Sequence, residues 1–178
     1  MKTKHFITIC LLCCGTNATF VACSQKSAPK ETANATTQDD GIQYIDFAME
    51  TPDSNTIKVS DFVGKNKYTL IDFWASWCGP CHAEMPTIVK AYDEFHEKGL
   101  EIIGVSLDSN KKDWTRAISS LQMTWPQMSD LKGWESEGAR LYGVHSIPAS
   151  VLVNQQGKIV AQNLRGENLL QKLAELME

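Results

Sequence analysis

Two apolar runs organise the pattern of the chain. Tyr68-Thr69-Leu70-Ile71-Asp72-Phe73-Trp74 is almost continuously apolar and β-prone, which predicts a buried central strand. Leu100 to Leu107 predicts a second. Between them the period changes to that of a helix, from about Pro80 to Lys98, with Ile88, Val89, Tyr92 and Phe95 as its apolar stripe and Gly99 as its stop. Upstream, Tyr44–Met49 and Thr56–Val59 read as short strands around the turn residues 51–55. Downstream, Lys111–Ser120 and Glu135–Tyr142 read as helices, and Ala149–Val153 and Lys158–Gln162 as a hairpin about Asn154-Gln155-Gln156-Gly157. Glu167–Met177 closes as a helix with Leu169, Leu170, Leu173 and Leu176 on its inner face. Strand, helix, strand, helices, hairpin and helix make an α/β domain with helices on the faces of a sheet. The first crossover is a parallel unit of right-handed sense.

The first 40 residues have a different texture. Lys2, Lys4 and His5 precede an apolar run from Phe6 to Cys14, too short to span a bilayer and suited to a signal-peptide core. Residues 1–22 are therefore expected to be a signal peptide. Phe20-Val21-Ala22-Cys23 resembles a bacterial lipoprotein signal, in which the cysteine is lipidated, although Phe20 stands where leucine is usual. Residues 24–40 are rich in Ser, Thr, Ala, Asn, Gln and Lys and bury too little to fold, so residues 23–40 read as a lipid anchor at Cys23 and a flexible linker. The folded domain is expected over residues 41–178.

Charge narrows the classes. The chain carries 17 basic and 21 acidic residues, and residues 1–22 hold Lys2 and Lys4 but no acid, so the rest is more acidic still. With no basic stripe, no nucleic-acid partner is expected. The six cysteines say more. Cys10, Cys13 and Cys14 lie in the leader and Cys23 at the proposed anchor, which leaves only Cys78 and Cys81 in the domain. Two cysteines one helical turn apart staple almost nothing, so an exported domain keeps them for chemistry or for metal.

Trp77-Cys78-Gly79-Pro80-Cys81 falls between the predicted central strand and its helix. A helix N-terminus offers unpaired N–H groups and a positive dipole end, both of which favour a thiolate at Cys78. Gly79 leaves room for a partner, and Pro80 suits the first turn, where its missing N–H costs nothing. Cys81 comes one turn later on the same face, within bonding reach of Cys78. The expected cycle is attack by Cys78 on a partner disulfide, followed by resolution by Cys81. A metal pair completed by His82 or His145 is the alternative use, although structural zinc wants four ligands and only two are obvious. Trp77 is expected to be exposed beside Cys78, Trp74 to be packed, and Trp114, Trp125 and Trp134 to serve as core or cap, with a partner surface there as the other reading.

The segment Asp72-Phe73-Trp74-Ala75-Ser76-Trp77-Cys78-Gly79-Pro80-Cys81 resembles the active-site segment of thioredoxins. Asp72 stands where thioredoxins carry a buried aspartate, and Pro86 where a proline kinks the active-site helix. Ile147-Pro148, after Tyr142-Gly143-Val144, stands where a cis-proline loop lies against the cysteine pair. Within that superfamily the chain is most similar to the membrane-tethered TlpA/ResA-like proteins. It has an extra strand pair before the first thioredoxin strand, a long Leu107–Leu141 segment, and Glu84 where those proteins carry a glutamate near the cysteines. Many ResA-like proteins have another residue where this chain has Asp72.

The resemblance implies a thioredoxin-like fold, a central mixed sheet flanked by helices, with an N-terminal strand pair and a longer helical insert. It implies an extracytoplasmic thiol–disulfide oxidoreductase, periplasmic and lipid-anchored, that reduces protein disulfides and needs no cofactor. A membrane reductant of DsbD type would recharge it, and c-type cytochrome thiols are one target. It implies that Asp72, its acidity weakened by burial, accepts the Cys81 proton, and that Glu84 aids thiol ionisation or partner choice. Ile147, before Pro148, would offer its backbone to an extended partner chain. Two other classes share the fold. Peroxiredoxins place Pro and Thr where Ile71 and Ala75 stand here, and copper carriers space their cysteines more widely.

Overall fold

The computed structural model describes residues 41–177. Two short strands open the domain, β1 (Ala48–Glu50) and β2 (Thr56–Lys58), paired antiparallel in a sheet of their own. The expected first strand, Tyr44–Met49, is thus shorter and later. Its beginning is held irregularly instead: the Tyr44 N–H donates to the Gly157 carbonyl, and the Phe47 carbonyl accepts from the Val59 N–H.

The main sheet begins with β3 (Tyr68–Trp74), whose last six residues are all buried, as an apolar run with both faces covered requires. It leads into α1 (Gly79–Phe95), which ends in a 3-10 turn and Gly99, whose φ of 109° is the left-handed stop expected there. Then follow β4 (Leu100–Ser106) and α2 (Lys111–Ser120), the latter capped by the Asn110 side chain, which accepts from the Lys112 and Asp113 N–H groups. The insert continues with β5 (Gln127–Met128), a 3-10 turn at Gly133–Glu135, and α3 (Glu137–Leu141). The helix expected over Glu135–Tyr142 is shorter than its pattern suggested. The hairpin β6 (Ala149–Asn154) and β7 (Ile159–Gln162) precedes α4 (Gly166–Met177). On α4 the buried residues are Leu169, Leu173 and Met177, whereas Leu170 and Leu176 are only half-buried.

The five main strands lie in the order β5-β4-β3-β6-β7. β3, β4 and β5 are parallel, and β6 and β7 are antiparallel to their neighbours. This is a mixed sheet with flanking helices, a separate strand pair and a helical insert: a thioredoxin-like fold. β5 was not anticipated. It consists of two residues whose strand character comes from pairing, Gly104 with Gln127 and Val105 with Met128. Gly104 makes that approach possible, because a Cβ there would meet the Gln127 side chain at 2.2 Å. The Gln127 Oε1 in turn accepts from the buried Trp74 indole N–H at 3.1 Å. No helix among the described residues is long and apolar enough to cross a membrane.

Candidate active site

The carboxyl ends of β3 and β4 and the start of β6 meet at one edge of the sheet. Trp74 pairs with Ser106, and Phe73 with Ala149, so the chain leaving β3, the chain leaving β4 and the chain entering β6 converge there. Residues 75–78 leave β3 at this edge and deliver Cys78 to the start of α1.

Cys78 is the N-cap of α1, with Pro80 in the first turn. It is joined to Cys81 by a disulfide, with Cα atoms 5.2 Å apart. The Cys78 Sγ also accepts from the Cys81 N–H at 3.1 Å, so the unpaired donors of the helix start already face this sulfur. A thiolate formed at Cys78 meets the positive end of the helix. Both cysteines are buried, Cys78 at 4% and Cys81 at 1% exposure, whereas Trp77, Gly79 and Pro80 around them are exposed. The more accessible cysteine is the first.

Asp72 lies inside β3 at 4% exposure, so it does not reach solvent from a strand end. Its carboxyl is pushed up to about 7, chiefly by burial and next by the Glu84 charge, against the lowering pull of the Arg165 guanidinium. Glu84, one turn beyond Cys81, directs its carboxylate across to α4, where it accepts from the Gly166 N–H at 2.7 Å. It complements the start of α4 rather than that of its own helix. Ile147–Pro148 is a cis peptide bond, as the resemblance implies. The Arg165 guanidinium donates to the Pro148 carbonyl oxygen. Residues 165 and 166 thereby tie α4 both to the cis-proline loop and to α1.

Asp108 escaped the sequence reading. It is 1% exposed, and its carboxylate accepts from the Ser76 N–H at 2.9 Å, the Ser76 hydroxyl at 2.5 Å and the Ser106 hydroxyl at 2.7 Å. It braces the segment that carries Cys78. Its only sequence signal was polar Ser106 and Asp108 closing an apolar run. Arg165 gave no signal at all, since nothing near it in the chain resembles a site. His82, near the start of α1, is exposed and has its Nε2 2.8 Å from the Ser76 carbonyl oxygen. Beside it a groove of about 440 Å³ is lined by Ser76, Trp77, His82, Asp108, Asn110 and Arg116 among others. Trp74, Trp114 and Trp125 are buried, but Trp134 is 48% exposed and packs against Trp77, ring centroids 5.9 Å apart. Cys23 lies outside the described residues.

Comparison with known proteins shows the family and the fold. The model of the AhpC/TSA family matches residues 41–162. The chain is 30% identical over 138 residues to a thiol-disulfide oxidoreductase ResA of Bacillus thuringiensis subsp. konkukian, an alignment covering 78% of this chain and 76% of that one. Among solved structures it is similar to the thioredoxin domain of a thiol-disulfide oxidoreductase from Bacteroides vulgatus, with a TM-score of 0.71 and 33% identity over 78% of this chain and 97% of that one. A putative thiol:disulfide interchange protein DsbE from Chlorobium tepidum gives a TM-score of 0.68 at 29% identity, over 79% and 99% of the two chains.

Proposed function

Since the chain belongs to the AhpC/TSA family and, within it, to the ResA-like thiol–disulfide oxidoreductases of thioredoxin fold, we propose that it reduces protein disulfides outside the cytoplasm through Cys78 and Cys81. The observation that carries this reading is the Cys78–Cys81 disulfide at the start of α1, with Cys78 as the N-cap. In the reduced protein the Cys78 thiolate attacks one sulfur of a partner disulfide, and the other partner sulfur leaves as a thiolate that takes up a proton. Cys81 then loses its proton to Asp72 and attacks the Cys78 sulfur. The partner departs as a dithiol and the protein is left as the Cys78–Cys81 disulfide, two electrons having passed to the partner.

Asp72 suits the acceptor role because a carboxyl raised to about 7 is divided between its two forms near neutral pH. Glu84 and Arg165 set that balance from opposite sides. Gly79 and Pro80, both exposed, leave the approach to Cys78 open. Ile147, ahead of cis-Pro148, offers main-chain groups to an extended partner strand. A membrane dithiol reductant of DsbD type returns the disulfide to the dithiol, and c-type cytochrome thiols are a candidate substrate. Residues 1–22 direct export and Cys23 carries the lipid that tethers the domain, a reading supported by the sequence of that segment. The thiol-peroxidase alternative lacks the hydroxyl that peroxiredoxins place upstream of their cysteine, because Ala75 stands there, fully buried.

A Cys81→Ser trap tests the proposal. The variant should accumulate mixed disulfides through Cys78 in the cell, and mass spectrometry of the adducts names the partner. A Cys78 that stays reactive toward an alkylating reagent yet traps no protein would sink the protein-substrate reading.

A further inference from the structure

Four large apolar side chains are exposed among the described residues: Ile42, Ile45, Trp77 and Trp134. Two of them touch, and one of those immediately precedes the nucleophile. Trp77 is 53% exposed and Trp134 48%, with their rings inclined at 55° and centroids 5.9 Å apart. Two half-open indole faces at a sulfur that must be approached by another protein form an apolar surface continuous with the reaction site.

The insert holds Trp134 in this place. Its 3-10 turn begins at Gly133, with φ of 58°, two residues after Leu131, with φ of 55°. The Asp130 carboxylate accepts from the Lys132 N–H at 3.2 Å and the Glu137 N–H at 2.9 Å, which fixes both ends of the turn. Trp134 thus reaches the Trp77 ring from the segment that follows β5, whereas Ile147 and Pro148 lie just ahead of β6. The ring pair is held in place before any partner arrives, which lowers the ordering cost of binding.

We propose, resting on the oxidoreductase reading, that the Trp77–Trp134 pair is a docking surface for an apolar side chain flanking the reactive cysteine of an extended partner segment. Because Trp77 directly precedes Cys78, the pair takes side chains that neighbour the reactive cysteine of the partner. The main chain of Ile147 fixes the partner as extended, and the indole pair chooses which partner segments react fastest. Trp77 adjoins the chemistry, while Trp134 acts on selectivity alone.

The test uses the full-length protein, recharged by dithiothreitol, and peptide disulfides of one length in which the residue beside the cysteine is Phe, Lys or Ser. The Phe peptide should be reduced with a kcat/KM about tenfold above the Ser peptide, the size expected for one well-packed aromatic contact, with Lys close to Ser. Trp134→Ala should bring that ratio to about one through KM, with kcat for the Phe peptide unchanged, and Trp134→Phe should restore most of it. Equal rates on all three peptides, a preference for Lys, or an equal loss on the Phe and Ser peptides in Trp134→Ala would overturn the docking surface. So would a dimer in sedimentation that Trp134→Ala dissolves, since the pair would then be a contact between two copies. Reduction of hydroxyethyl disulfide by the unaltered protein separates the two levels. No turnover there unseats the oxidoreductase reading itself, and turnover without peptide selectivity unseats only the docking surface.

Discussion

Inside β3, Asp72 keeps a carboxyl among apolar neighbours, and burial raises it from 3.8 to about 7. Between those two values the native protein holds a proton that the unfolded chain has already released. Stability therefore falls as pH rises through that window and levels off above about 7. Asp72→Asn should abolish this slope and stabilise the oxidised protein above neutrality by up to about 4 kcal/mol, read from urea denaturation at a series of pH values. The same variant should slow resolution of a mixed disulfide, because it removes the proposed acceptor of the Cys81 proton. Glu84 and Arg165 supply a paired check. Glu84→Gln removes a charge that raises Asp72 and should move the pH midpoint of resolution down. Arg165→Gln removes a charge that lowers it and should move the midpoint up. Stopped-flow measurement of the Cys81 step against pH reads both shifts, and movement in the same direction would refute the electrostatic account.

At the scale of elements, the segment from β3 to α1 is held by the Asp108 carboxylate, from the chain just beyond β4. Ser76→Ala removes the hydroxyl bonded to Asp108 at 2.5 Å and leaves a buried charge with one donor fewer, a loss of about 1.5–3 kcal/mol. Thermal denaturation measures it, and a change within ±0.5 kcal/mol would show that the hydroxyl is dispensable. Gly104→Val should cost more, since even a Cβ meets the Gln127 side chain at 2.2 Å. The long elements were legible because their information is local. β3 and α2 fall where the residue pattern put them, and α1 begins where Cys78, Gly79 and Pro80 mark a helix start. β5 was illegible because two residues have no period. They become a strand only when β4 offers an edge with a glycine in the right place.

For the whole molecule, the proposal joins a redox domain to a membrane through residues 23–40. Cys23→Ser should move the protein from the detergent phase to the aqueous phase in a phase-separation assay while leaving dithiol activity in the purified protein intact. An unaltered protein already in the aqueous phase would refute the anchor. By itself the sequence located the cysteine pair, the helix start beside it and the central strands, and its resemblance to thioredoxins pointed to the buried Asp72. Each of these is encoded within a few consecutive residues, in spacing, capping and apolar runs. Tertiary structure alone decided that Asp108 braces Ser76, 32 positions away, and that Gly166 meets Glu84, 82 positions away. It also brought Arg165 to Pro148 and Trp134 to Trp77. Such pairs share no local signal. They exist because the order β5-β4-β3-β6-β7 gathers strand ends that are remote in the chain around one pair of cysteines.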